Sequence, residues 1–144
     1  MTDLTRELIA EKATKCAEAL VDLKRYRAVG TLEYLRANPD TYFAVCYRFL
    51  TAIESLFDLG QFALAEVGTR AESQREVPSL LAKHSIITDD LAVRFERIYG
   101  FRNRLAHGYD SLNDEKVADY LAEHLGDIEE LLALFQKNMM ETDV

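Results

Sequence analysis

Between residues 41 and 66 the apolar side chains Cys46, Phe49, Leu50, Ile53, Phe57 and Leu64 recur every three or four positions, with Gly60 in the same register. That spacing puts them on one broad stripe of an α-helix, and no alternating strand satisfies it. A helix of about 25 residues uninterrupted by proline limits the fold severely. Its apolar face needs other long helices to cover it. The remaining sequence supplies them, because only two prolines and six glycines interrupt 144 residues. Few long elements are therefore expected, not many short strands.

The periodicity predicts a first helix from Thr5 to about Val29, with Leu8, Cys16, Leu20 and Leu23 on one side. Gly30-Thr31 marks a break, after which Thr31 can cap a short segment, Leu32–Ala37. Asn38-Pro39-Asp40 reads as a stop and restart, with Asp40 as the next N-cap. Gly68 closes the long second helix, and residues 69–88 are less regular, with a short helix after Pro78. Thr88 caps a helix from Asp89 to about Ala106, whose opening acids suit the helix dipole. Asn113 or Asp114 starts a final helix carrying Val117, Leu121, Leu125, Ile128, Leu132 and Phe135. The expected fold is all-α, an antiparallel bundle of four to five long helices forming one domain over residues 1–144.

Composition closes off several functions. The start of the chain mixes charges and has no signal-peptide core, and no apolar run is long enough for a membrane span. Cys16 and Cys46 stand apart, without CxxC or nearby histidine, so two reduced cysteines of a cytoplasmic protein are expected and no metal site. A net charge of −8 argues against general binding to nucleic-acid backbone. Positive charge is nevertheless concentrated in one place. Arg94, Arg97, Arg102 and Arg104 face a single acid, Glu96, between residues 94 and 107.

That same stretch contains the most unusual feature, YGFRNRLAHGY at residues 99–109. Leu91, Phe95, Ile98, Tyr99, Leu105 and Ala106 define a buried stripe at 100° per residue, and Arg102 falls near its centre. A guanidinium there is unfavourable unless it is paired or opens on a cleft. One account is a salt bridge to Glu54 or Asp58, which flank the stripe of the second helix; the other is an anion-binding cleft. Both hold if the acid orients the arginine. His107 lies about 140° from Arg102 on an unbroken helix. The two side chains converge if the helix ends between them, as Gly108 suggests, or across a two-fold axis. His84 reads as a loop residue and His124 as a packed residue on the final stripe.

The pattern Arg102, four residues, His107-Gly108-Tyr109 resembles the RX4HXY signature of the HEPN superfamily, specifically its HepT-type toxins. Phe49-Leu-Thr-Ala-Ile-Glu-Ser-Leu-Phe-Asp-Leu59 is similar to the second helix of those proteins, and length and helix order match along nearly the whole chain. The resemblance implies a homodimeric, metal-independent endoribonuclease without a cofactor, which is the toxin of a toxin–antitoxin pair. It makes His107 the acid or base at the RNA 2′-hydroxyl and leaving oxygen, and Arg102 the stabiliser of phosphate charge. Asn103 and Arg104 become supporting, RNA-contacting residues. Tyr109 becomes the tyrosine on which a partner MNT-type nucleotidyltransferase places AMP, silencing the toxin. The implied substrate is RNA, with tRNA ahead of mRNA. A non-catalytic HEPN-like module that binds a nucleotidyltransferase is the alternative.

Overall fold

A computed structural model describes residues 1–106 and 112–142. Seven α-helices and one 3₁₀ turn are found among these residues, and no strand. They are α1 (Asp3–Arg27), α2 (Leu32–Ala37), α3 (Pro39–Glu66), α4 (Val77–Lys83), α5 (Asp89–Ala106), α6 (Leu112–Glu123) and α7 (Leu125–Thr142). The 3₁₀ turn, Gln74–Glu76, leads directly into α4.

Local chemistry sets most of the boundaries. Thr2 accepts a hydrogen bond from the Thr5 amide at the start of α1, and Thr31 does the same for Tyr34 at the start of α2. The end of α3 is closed by Gly68 at φ +80°. There the Gly68 amide donates to Ala65 and the Thr69 amide to Leu64, so two otherwise orphaned carbonyls are satisfied. The Thr88 hydroxyl accepts from the Leu91 amide and starts α5.

Three expected boundaries need correction. Asp40 is not the N-cap of α3: Asn38 ends α2 and begins α3 at once, with Pro39 in the first turn, where its missing N–H costs nothing. Asn38 also donates from its side chain to the Tyr34 carbonyl. Neither Asn113 nor Asp114 caps the following helix, because α6 already begins at Leu112. The expected single final helix is two, broken at His124. The apolar period runs straight through that break, so sequence alone does not reveal it.

Ion pairs and ring contacts fix the helix directions. Lys12 pairs with Asp58 at 3.0 Å and Arg48 with Asp22 at 2.9 Å, so α1 and α3 are antiparallel. Phe57 stacks on Phe95 with centroids 4.6 Å apart, while Phe49 meets Phe101 edge-on at 5.0 Å; α3 and α5 are therefore antiparallel too. Lys24 joins α1 to Glu129 of α7. One contiguous apolar core fills the space between these helices, with Leu23, Phe49, Ile53, Phe57, Phe95 and Ile128 essentially inaccessible. On α1 the buried position is Ile9, while Leu8, assigned above to that face, is 38% exposed.

Close approach is needed at Gly30, where the chain turns from α1 to α2. A β-carbon there would lie 2.4 Å from a Leu121 methyl and 2.8 Å from the Tyr26 carbonyl oxygen. This glycine is required for space, and it lets α6 pack against the end of α1.

Candidate functional site

α5 carries Arg102 on the line set by Leu91, Phe95 and Ile98, all buried against α3 and α4. The helix outlasts its cover, however. Phe101 is buried in the core, Tyr99 and Leu105 are only half-buried, and Ala106 is exposed. Arg102 thus lies at the rim of the apolar face, with its side chain 31% exposed, and not at the centre of a closed stripe.

At this rim the Arg102 Nε–H donates to Glu54 Oε1 at 2.8 Å. Glu54 projects from the middle of α3, and its other oxygen accepts from the Gln74 side-chain amide, also at 2.8 Å. Gln74 belongs to the 3₁₀ turn before α4, so three separate elements fix one guanidinium. A longer contact of 3.4 Å connects Arg102 Nη1 to the Asn103 side-chain oxygen. Binding through Nε leaves Nη2 with no partner among the described residues. That free edge has the geometry to take an oxyanion. Asp58, the other acid considered, is occupied by Lys12 on α1 and does not reach Arg102.

Glu54 and Asp58 also line a surface groove of about 480 Å³ between α1 and α3, together with Lys12, Lys15, Arg48 and Thr51. The basic stretch on α5 is divided among different surroundings. Arg94 is neutralised by Asp90, Asp127 and Glu130, with contacts down to 2.6 Å. These bonds, that to Glu130 first, raise the Arg94 pKa and in turn hold the Glu130 carboxyl below its usual range. Arg94 is a structural link to α7. Arg104 is exposed and points to a different groove, between α5 and α6.

His107 and Tyr109 lie outside the described residues. The helices on either side of them are anchored. At the end of α5, Phe101 stacks on Tyr120 of α6 with centroids 3.9 Å apart and planes 3° from parallel. At the start of α6, Asp114 accepts two hydrogen bonds from Arg36 of α2, at 2.9 and 3.3 Å, and Glu115 lies 3.4 Å from the same guanidinium. The segment 107–111 therefore joins two helices that are each tied to the bundle.

Gln74 and Arg36 escaped the sequence reading. Gln74 sits in an irregular stretch without periodicity, and Arg36 in a helix of six residues, so neither had a pattern to reveal it. His84 is the exposed C-cap of α4. His124 lies at the α6–α7 break, 3.3 Å from Asp119 and with its ring 4.5 Å from that of Tyr120. No group of ligating side chains suited to a metal occurs among the described residues. None of the described helices is long and apolar enough to cross a membrane.

Comparison with known proteins places this geometry in context. The family described as Ribonuclease HepT-like matches residues 16–134. A candidate RNase of Archaeoglobus fulgidus is 30% identical over 134 residues, covering 93% of this chain and 89% of its own. The mRNA nuclease HepT of Shewanella oneidensis is 33% identical over 61 residues, 42% of this chain and 46% of its own. In structure, the chain is similar to a tri-AMPylated Shewanella oneidensis HEPN toxin, solved in complex with an MNT antitoxin. The TM-score is 0.81 at 20% identity, over 95% of this chain and 99% of the toxin. The fold is thus the all-α HEPN fold, and the chain belongs to the HepT-like ribonuclease family.

Proposed function

We propose that this protein is the ribonuclease toxin of a toxin–antitoxin pair, cutting RNA without a metal through Arg102 and His107. The observation that carries this reading is the state of Arg102. Arg102 is gripped at Nε by Glu54, which is itself held by Gln74, and its side chain remains 31% exposed on the helix turn that leads, five residues on, to the motif histidine in sequence. A purely structural salt bridge does not require the RX4HXY sequence that follows.

RNA brings its own nucleophile. His107 takes the proton of the 2′-hydroxyl, and the 2′-oxygen bonds to phosphorus. The bond from phosphorus to the 5′-oxygen breaks, and that oxygen is protonated by an imidazolium. The products are a 2′,3′-cyclic phosphate and a free 5′-hydroxyl. Arg102 stabilises the extra negative charge on the phosphoryl oxygens, with Asn103 supporting it. A positioned imidazole contributes roughly 10²–10⁴-fold, and a preorganised cation a comparable electrostatic term.

The active form is a homodimer with both motifs at one cleft. Phe43 and Tyr47, one turn apart on α3 and each 64% exposed, offer apolar surface to the second copy. tRNA is the first substrate to test, since an acidic protein favours a structured RNA with an exposed strand; mRNA is second, in line with the Shewanella relative. Control is by a nucleotidyltransferase antitoxin. The Tyr109 hydroxyl attacks the α-phosphorus of ATP, pyrophosphate leaves, and AMP on Tyr109 adds bulk and negative charge two residues from His107.

Purified, unmodified protein is incubated with total RNA in EDTA, beside a His107→Ala variant. Discrete cleavage by the wild type alone supports the reading. Intact RNA in both, with Tyr109 confirmed unmodified by mass spectrometry, overturns it in favour of a binding module for the nucleotidyltransferase. A Tyr109→Phe variant is expected to cleave RNA and to resist silencing.

A further inference from the structure

The groove between α5 and α6 has no part in the chemistry above. It encloses about 310 Å³ and is lined by Arg97, Arg104 and Lys116 against one acid, Asp119. All three cations are exposed, and none forms an ion pair with a described residue, although most cations of α1, α2 and α3 do. In a chain of net charge −8, three cations around one groove without an ion-pair partner among the described residues form a local positive site.

Its floor is unusual. Arg97 and Arg104 are seven residues apart, which places them on one helix face about 10 Å from each other. Between them on that face lies Gly100, exposed, and a β-carbon added there would meet nothing within 4 Å. Glycine in a helix interior is unfavourable relative to alanine, and no described neighbour requires it. It leaves that helix face without a side chain between Arg97 and Arg104, beside the Arg97 carbonyl to which the Tyr120 hydroxyl donates at 3.1 Å. The opposite wall presents Tyr120 and the half-exposed ring of His124. A groove lined by cations tracks the backbone of a single-stranded nucleic acid, and a partly exposed aromatic ring beside it can stack a base.

We infer that the α5–α6 groove binds the phosphodiester backbone of the RNA strand beside the cut site, through Arg97, Arg104 and Lys116. This deepens the ribonuclease reading and rests on it for the identity of the ligand. Arg102 and Arg104 point to different sides of α5, so the strand passes around the end of that helix. RNA is favoured over an acidic protein because the groove opens from the same helix that carries Arg102, where the ribonuclease reading already places a phosphodiester.

The test uses the full chain carrying His107→Ala, with and without Arg97→Gln and Lys116→Gln together. Binding of a fluorescein-labelled single-stranded RNA of about 12 nucleotides is followed by anisotropy over a range of salt concentrations. The expected result is roughly tenfold weaker binding and a log–log salt slope shallower by about 1.4, the value for two lost phosphate contacts on a single strand. Both side chains are exposed, and an unchanged melting curve verifies folding. Equal affinity and slope in the two proteins overturn the inference, as does the absence of RNA binding by the parent. Loss of binding to the purified nucleotidyltransferase with RNA binding intact also overturns it, and makes the groove a protein-docking surface. Cleavage separates the two claims. If wild type cuts no RNA but the groove variant loses RNA binding, the groove stands and the nuclease reading falls; cleavage by wild type with binding unchanged in the variant is the reverse.

Discussion

The Nε of Arg102 lies 2.8 Å from Oε1 of Glu54, a residue 48 positions earlier in the chain. Because the carboxylate takes Nε and not the terminal nitrogens, it fixes the direction of the guanidinium without covering it. In the proposed mechanism Glu54 therefore acts as a positioning residue. Glu54→Ala is expected to lower kcat for RNA cleavage about 10²-fold, as a misplaced catalytic group does. With the pair 31% and 41% exposed, stability should fall by no more than about 1 kcal/mol. Gln74→Ala should show the same pattern more weakly, and Glu54→Asp should recover part of kcat. Steady-state kinetics beside urea unfolding decides it: unchanged kcat in Glu54→Ala removes the role.

Arg36 holds the first turn of α6 through Asp114 and Glu115. Such an exposed pair adds little to global stability, but it sets where the segment after α5 must end. Arg36→Gln is expected to reduce cleavage several-fold while hardly moving the urea midpoint. A fall in both together would make the contact a general structural brace.

Gly30 has a Leu121 methyl and the Tyr26 carbonyl oxygen where a side chain would begin. The backbone oxygen cannot swing aside, so Gly30→Ala should destabilise by about 1–3 kcal/mol, the range for overpacking. Gly126→Ala, at a site with nothing within 4 Å, is the control and should be neutral or slightly stabilising. Urea denaturation of both variants provides the comparison.

Cys16 is fully buried, and loss of hydration pushes its thiol up to about 12 from an ordinary value of 9.0. The folded state therefore keeps a proton that the unfolded chain loses above pH 9, and stability should decline from about pH 9 towards 12. Cys16→Ala should flatten that decline. Iodoacetamide at pH 8 should leave Cys16 unmodified in the native protein and react with it once urea unfolds the chain.

Sequence alone was sufficient where a local rule and a long-range need coincide. Thr31, Thr88 and Gly68 each end or begin a helix through bonds to residues within five positions, and each was legible. The break at His124 was not, because the apolar positions Leu121, Leu125 and Ile128 continue the helical period across it. There the His124 amide still donates to Tyr120, and only the contact from the Asp127 amide to the His124 carbonyl marks the turn. For Arg102, spacing narrowed the partner to Glu54 or Asp58. The choice depended on Lys12, which lies on another helix and occupies Asp58. Gln74 could be found only in three dimensions.

The grip on Arg102 also has an order in time. Glu54 and Gln74 leave the ribosome well before Arg102, while the first turn of α6, which Arg36 must capture, follows later still. α1 and α3, which pack along much of their lengths, can associate as soon as both are made, as early segments of a growing chain do. A nascent chain that stops before residue 114 lacks the anchor of α6, however well its first half has folded. On the nuclease reading proposed above, the arrangement around Arg102 would therefore be completed only once α6 has been made and Arg36 has captured Asp114.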